Sequence, residues 1–248
     1  MTQETGGRPH LSVVIPAFNE QARIGDTLTA ILEYLDANRI RSEILVIDDG
    51  STDGTSDVAT EKLGRRRGRV LRNVENQGKG YSVRRGIVEA QGRWVLMCDA
   101  DQSTPIEEHA RLAEIARDRD LDIVIGSRGL PDSKIEVHQK AIRESMGKTF
   151  NVIVRSLTGL RLHDTQCGFK LMDRNRVLPI VEKSIIDGFA FDVELLCVAT
   201  RFGLSIAEVP VSWRNSPEST VNLVTAPPAM VIEILRVLWR FRRGGYNP

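Results

Sequence analysis

Long apolar runs are missing from this 248-residue sequence. No stretch approaches the roughly 18 uninterrupted apolar residues of a membrane-spanning helix, so any membrane contact is expected to be peripheral. Cysteine is scarce too. Cys98, Cys167 and Cys197 form neither a C-x-x-C pair nor an even set, and each sits in an apolar or semi-apolar run, which points to reduced, structural thiols. Neither sign of charge dominates: 34 Lys and Arg against 33 Asp and Glu leave a net charge of +1, so anion binding must come from local clusters. The run RRRGRVLR at 65–72 has no interleaved aromatic residues and reads as a solvated surface, so no nucleic-acid partner is expected. His138 and His163 have no metal-ligand spacing with other His or Cys residues. The first ten residues, MTQETGGRPH, lack the basic start and apolar stretch of a signal peptide, and the expected location is cytoplasmic. Neither the Walker pattern G-x-x-x-x-G-K-[ST] nor G-x-G-x-x-G occurs.

What is present is an ordinary globular composition, 41% hydrophobic and 27% charged, and a regular alternation. β-rich runs at 11–16, 43–48, 69–72, 93–99 and 121–126 are separated by helical apolar spacing over 20–37, 54–66, 78–90 and 107–118. This rhythm predicts an α/β fold with a mostly parallel sheet covered by helices on both faces. Ligands of such sheets bind at the carboxyl ends of the strands, where the polar residues of this half collect. One domain over 1–248 is expected, with a first half at about 11–125, a second at about 126–215 and a helical tail at about 221–243.

Three strand ends carry the chemistry. Asp99-Ala100-Asp101 offers two carboxylates of the kind a hard divalent cation, Mg²⁺ or Mn²⁺, combines with waters and phosphate oxygens. Taken alone, Asp99 reads almost as well as the cap of the following helix. Asp48-Asp49-Gly50-Ser51-Thr52-Asp53-Gly54-Thr55 packs acceptors and glycines into a tight turn that can meet a nucleobase or simply cap a helix. Lys79, between two glycines at a helix start, is placed to meet a phosphate.

In their order, VVIPAFNE at Val13, VIDDGSTDGT at Val46 and DAD at Asp99 resemble the family-two glycosyltransferases. GSR at Gly126, DTQCGFKL at Asp164, FAFDVELL at Phe189 and VPVSW at Val209 narrow the resemblance to the dolichyl-phosphate β-glucosyltransferases and their polyprenyl-phosphate relatives. The resemblance implies the GT-A fold with a Rossmann-like nucleotide-binding half. It implies that Pro16, Ala17, Glu20, Asp48, Asp49 and Lys79 take part in nucleotide-sugar binding, with Asp48 at the base. Asp99, Ala100 and Gln102 would continue that site, Asp99 and Asp101 holding the metal. Arg128 and Arg143 would face the acceptor and donor phosphates, Asp164 and Gln166 would lie beneath the sugar, and Asp192 would occupy an acidic catalytic position. Ser103 after Gln102 departs from the D-A-D-L-Q of the mannosyltransferases, which weakens a GDP-mannose donor.

The implied reaction is inverting transfer of a hexose, glucose from UDP-glucose, to a polyprenyl or dolichyl phosphate, giving a β-linked product. A lipid monophosphate has a second pKa near ~6 and arrives ionised, so Asp164 and Asp192 are expected to orient hydroxyls or fix Arg and Lys rather than abstract a proton. The alternatives are a GDP-mannose donor, a hydroxyl acceptor with Asp192 as base, or a catalytically silent, membrane-associated nucleotide-binding protein. The segment 128–148 adds Arg128, Lys134, Lys140, Arg143 and Lys148 as receivers for an anionic headgroup if its helix faces the cleft, and otherwise reads as an ordinary exposed loop and helix. In the tail, AMVIEILRVLWRFRR joins bulky apolar residues to Arg236, Arg240, Arg242 and Arg243. That pattern suits a peripheral helix on the cytoplasmic face of a membrane, or equally a helix docked on the enzyme or on a second subunit in a homo-oligomer.

Overall fold

The computed structural model describes residues 8–137, 141–215 and 226–246, with only the backbone described at 65–66, 141–145, 148 and 226–227. His138, Lys140 and the predicted tail residues 221–225 therefore lie outside the described residues.

The first half follows the predicted alternation. Strands β1 (Leu11–Ala17), β2 (Ser42–Asp48), β3 (Gly68–Arg72), β4 (Trp94–Met97) and β5 (Ile123–Ser127) alternate with helices α1 (Gln21–Ala37), α2 (Thr55–Arg67), α3 (Lys79–Glu89) and α4 (Glu108–Asp118). Next come β6 (Lys134–Val137), α5 (Ala141–Thr158), β7 (Lys170–Asp173), α6 (Arg174–Val181), α7 (Phe191–Arg201), β8 (Ile206–Pro210), β9 (Ser212–Arg214) and α8 (Ala226–Arg242).

Seven strands make one sheet in the order β3-β2-β1-β4-β7-β5-β8, and β6 pairs with β9 in a small separate ribbon. Pairing is parallel except at β7, which runs antiparallel between β4 and β5. The near-continuous apolar runs of β1 and β2 are what a strand buried on both faces requires. Val13 and Ile15 face one core layer with Leu28 and Ile31 of α1, Leu63 of α2 and Leu112 of α4. Val14 faces the other with Ile87 of α3, Val154 of α5, Ile180 of α6, Leu196 of α7 and Ile234 of α8. Each such fully buried aliphatic side chain contributes about 1.5–3 kcal/mol relative to exposure.

Strand order reverses between β1, whose chain moves outward to β2, and β4, which pairs on β1's other side. Such a switch point opens a crevice at the carboxyl ends of the strands. β4 ends two residues before Asp99 rather than running through it, so Asp99 and Asp101 sit in the turn that follows. Because β7 is antiparallel, it is the beginning of that strand, Gly168 and the residues before it, that reaches the same edge.

Candidate functional site

A cleft of about 450 Å³ opens at this switch point. Pro16 and Ala17 from the end of β1, Glu20 and Arg23 from the start of α1, and Asp49 beyond β2 form one side. Asp99, Ala100, Asp101 and Ser103 beyond β4 form the floor, and Arg128, Gln166, Gly168, Gly188, Phe189 and Trp213 close the other side.

The carboxylate turn is shaped by its backbone. Gln102 has φ of 52°, in the left-handed region, which reverses the chain between Asp101 and Ser103. Both of those neighbours then line the cleft, and Asp101 Oδ1 accepts the Ser103 amide at 2.9 Å. The same reversal corrects the expectation for Gln102, whose amide donates to the Asp26 carbonyl of α1 at 2.9 Å instead of joining the cleft. Ala100 is tied down when Thr27 Oγ1 donates to its carbonyl at 2.7 Å. Asp99 is not a helix cap, since α4 begins only at Glu108.

Asp99 pairs with Lys79, Nζ to Oδ1 at 2.6 Å. Burial pushes the Asp99 carboxyl up, but the ammonium of Lys79, its hydrogen bond and the more distant Lys170 and Arg128 outweigh it, leaving the group below the usual carboxylate range. Burial also works against the Lys79 ammonium, yet Asp99 and Asp192 hold its pKa above the ordinary lysine value. The pair is therefore charged at neutral pH. Gly168 makes room for it: a Cβ there would lie 1.9 Å from Asp99 Oδ2, so any side chain would displace the carboxylate.

The Asp48 turn also departs from expectation. Asp48 is fully buried and does not line the cleft; its carboxylate accepts the Ser51 amide at 2.9 Å and the Ser56 hydroxyl, with Arg72 Nε at 3.6 Å. It is the next residue, Asp49, that turns to the cleft, because consecutive residues at a strand end point to opposite sides. Asp49 accepts the amides of Gln77 and Gly78 at 3.0 and 2.8 Å and the Asn73 side chain at 2.6 Å, fastening the turn that presents Lys79. Gly78 in that turn has φ of 102°, and a Cβ there would meet the Asp187 carbonyl at 2.3 Å.

Asp164, expected beneath the sugar, and Asp192, expected at an acidic catalytic position, do not line the cleft, and each holds a cation, one of the two roles expected of them. Asp164 is buried and receives Arg128 in a fork, Nε to Oδ2 at 2.6 Å and Nη2 to Oδ1 at 2.9 Å. Burial raises the Asp164 carboxyl, but the Arg128 guanidinium outweighs it and the net shift is downward. Arg128 itself lines the cleft and lies over the Trp213 ring, 5.4 Å from its centroid. Asp192, in the first turn of α7, pairs with the fully buried Lys170 at 2.5 Å, and burial holds its pKa above the ordinary value despite that partner. Neither acid reaches the cleft, because each is buried against its cation. Arg143 lies on α5, but its side chain falls outside the described residues, as does that of Lys148; Lys134 is exposed on β6. Cys167 is buried in the loop before β7, and burial together with Asp164 pushes its thiol up to about 11, which suits a packing role.

Arg23, Gly168, Phe189 and Trp213 are cleft residues that sequence reasoning passed over. Arg23 forks onto Glu20, with Nε to Oε2 and Nη2 to Oε1 both at 2.7 Å, and its Nη1 lies 4.0 Å from Asp101 Oδ2. Burial raises the Glu20 carboxyl, an effect that Arg23 offsets only in part. The i,i+3 spacing of Glu20 and Arg23 was a readable signal for their pairing; nothing in the sequence aimed the pair at Asp101. Among the described residues no group of three His, Cys, Asp or Glu converges to enclose a metal. Two adjacent carboxylates open to a cleft fit a hard cation that keeps waters and completes its shell with ligand oxygens.

Comparison with known proteins identifies the family and the fold. The family described as Glycosyl transferase family 2 matches residues 12–177. A dolichyl-phosphate beta-glucosyltransferase of Dictyostelium discoideum is 35% identical over 247 residues, covering 95% of this chain and 76% of that protein. A human protein of the same name is 35% identical over 250 residues, covering 96% and 77%. Among solved structures, mannosyl-3-phosphoglycerate synthase from Rubrobacter xylanophilus superposes with a TM-score of 0.73 at 21% identity, covering 95% of this chain and 75% of that one. Glucosyl-3-phosphoglycerate synthase from Mycobacterium tuberculosis, in complex with Mn²⁺ and uridine-diphosphate-glucose, gives 0.66 at 21% identity, with coverage of 92% and 78%. At these identities the structural matches establish the fold, which is GT-A.

Proposed function

The chain belongs to glycosyl transferase family 2 and is a glycosyltransferase, and on that premise we propose that it transfers glucose from UDP-glucose to the phosphate of a dolichyl or other polyprenyl lipid with inversion. The relatives' shared name supports the acceptor class and the sugar. A single observation on this chain carries the reading: one cleft gathers the carboxylates of Asp99 and Asp101 with the cations of Lys79, paired to Asp99, and Arg128, held by Asp164. That layout suits a ligand with a diphosphate at its centre and a second phosphate approaching it.

In this reading Asp101, with Asp99 beside it, would hold Mg²⁺ or Mn²⁺, which when bound would supply charge neutralisation for a departing diphosphate. The protein's own contribution is position and charge. Pro16, Ala17 and Asp49 border the nucleoside pocket. Arg128, held in one orientation by Asp164, faces the phosphates. The acceptor phosphate is largely dianionic at neutral pH and needs alignment against the anomeric carbon rather than deprotonation. The burial of Asp164 and Asp192 behind Arg128 and Lys170 supports a reaction without a side-chain base. Attack from the face opposite the leaving group turns an α-linked donor into a β-linked lipid phosphate sugar.

We assign the whole chain to one catalytic domain and α8 to contact with a cytoplasmic membrane face. The direct test is incubation of purified protein with a polyprenyl phosphate, Mg²⁺ or Mn²⁺ and a panel of nucleotide-sugars, with the lipid product identified by mass. UDP-glucose is expected to give the hexosyl lipid phosphate, and Asp101→Ala to lower turnover at least about 100-fold. Transfer to a hydroxyl acceptor with lipid phosphate left unmodified would overturn the assignment, as would full activity of Asp101→Ala.

A further inference from the structure

Helix α8 lies beyond the residues matched by the family, yet one of its carboxylates reaches the cleft wall. Glu233 Oε2 accepts the Ala190 amide at 3.2 Å, and Oε1 packs so tightly on Gly188 that a Cβ there would come within 2.4 Å of it. The segment whose end it grips, 185–190, borders the donor side of the site twice over. Gly188 and Phe189 line the cleft directly. The Asp187 carbonyl accepts the Gly80 and Tyr81 amides at 2.7 and 3.2 Å, and the Ile186 carbonyl accepts Arg84 Nη1 at 3.1 Å. Those three partners belong to α3, the helix whose first residue is Lys79.

Glu194 of α7 anchors the start of the segment by accepting the amides of Ile185 and Ile186 at 2.8 and 2.9 Å, and the Tyr246 hydroxyl donates to the same carboxylate. That anchor stops at Ile186. Past Asp187, where the segment becomes the cleft wall, the carboxylate on the backbone is Glu233. The forked end of the side chain suits this task because one oxygen accepts the Ala190 amide while the other packs on Gly188.

We propose that Glu233 is a positioning residue for the sugar-nucleotide donor: from α8 it fixes Gly188–Ala190 so that the cleft wall and the first turn of α3 with Lys79 keep one arrangement. The inference rests on the reading of the cleft as a nucleotide-sugar site. It makes the C-terminal helix a structural part of donor binding, in addition to any surface it offers.

The test uses the full chain with Glu233→Ala and Glu233→Gln. UDP-glucose binding is measured calorimetrically with Mn²⁺, sugar transfer is measured at saturating lipid phosphate, and backbone hydrogen exchange is followed over 186–190. Glu233→Ala is expected to raise the UDP-glucose Kd and KM about tenfold, leave kcat within about twofold, and speed exchange of the segment. Glu233→Gln, whose amide oxygen still accepts the Ala190 N–H, restores values near wild type. Wild-type affinity in Glu233→Ala overturns the proposal, as do equal losses in the two variants. If the unaltered protein takes up no UDP-glucose, the donor assignment fails; exchange over 186–190 still decides whether Glu233 holds the wall, and unchanged exchange in Glu233→Ala overturns that.

Discussion

Lys170 and Asp192 form an ion pair with both side chains withdrawn from solvent, directly behind the cleft. Desolvating two charges costs several kcal/mol each, and the pair recovers this only while both partners are present. Lys170→Met alone is therefore expected to destabilise the fold by about 3–5 kcal/mol in urea unfolding, because it leaves a buried carboxylate unpaired. Lys170→Met combined with Asp192→Leu should recover most of that loss; a double variant as unstable as the single one would refute the account. Acidic residues of this kind are easy to see in a sequence and hard to place. Asp164 and Asp192 stood out, but their cations come from 36 and 22 positions away, across separate loops and strands. The sequence left open whether they orient sugar hydroxyls or fix cations, and packing sets both on cations and out of the cleft. Asp48 and Asp49 illustrate the same limit at closer range, since both are buried and a shift of one residue at a strand end decides which of them lines the cleft.

Helix α8 meets one of the expectations that its apolar residues left open. Met230, Ile234 and Val237 are buried against the core shared with α5 and α7, so the helix is docked on its own chain. Ile232, Leu235 and Trp239, at spacings of three and four, form a second apolar stripe that stays exposed, with Trp239 at 56%. Arg236, Arg242 and Arg243 are exposed beside it, and Arg243 lies over the Trp239 ring at 4.0 Å. The neighbouring α5 leaves Val152 exposed as well. No helix among the described residues is long and apolar enough to cross a membrane. The two stripes should separate by experiment. Ile234→Ala should cost about 2–5 kcal/mol of stability. Leu235→Ala with Trp239→Ala should change stability by about 1 kcal/mol or less per site, while sharply reducing sedimentation with anionic lipid vesicles. Undiminished vesicle binding by that double variant would remove α8 from membrane contact. A helix with two apolar stripes has two ways to dock, and its sequence does not choose between them.

Across the whole molecule, the layer holding α1 and α4 contains a pH-sensitive contact. Tyr34 Oη and His109 Nδ1 are 3.0 Å apart, and burial, with a smaller contribution from His10, lowers the His109 pKa from 6.5 to about 4. Between those values the unfolded chain binds a proton that the folded chain refuses. Stability is thus fully present above pH about 6.5 and falls as the pH drops toward about 4, by about 3 kcal/mol from this group. His109→Phe should flatten that part of the pH–stability curve relative to the unaltered protein; an unchanged slope would contradict it. The alternation of strands and amphipathic helices was determined by the sequence itself, because periodicity is local and the near-continuous apolar runs of β1 and β2 call for a covered, parallel setting. The family and the strand-end position of Asp99-Ala100-Asp101 were legible for the same reason, being carried by contiguous motifs. The insertion of β7 antiparallel beside β4, the pairing of Lys79 with Asp99, the space that Gly168 leaves for that carboxylate and the grip of Glu233 on the cleft wall were decided only by tertiary structure. Each depends on groups brought together from distant parts of the chain, where a displacement of one residue, or the addition of one methyl group, changes what meets what.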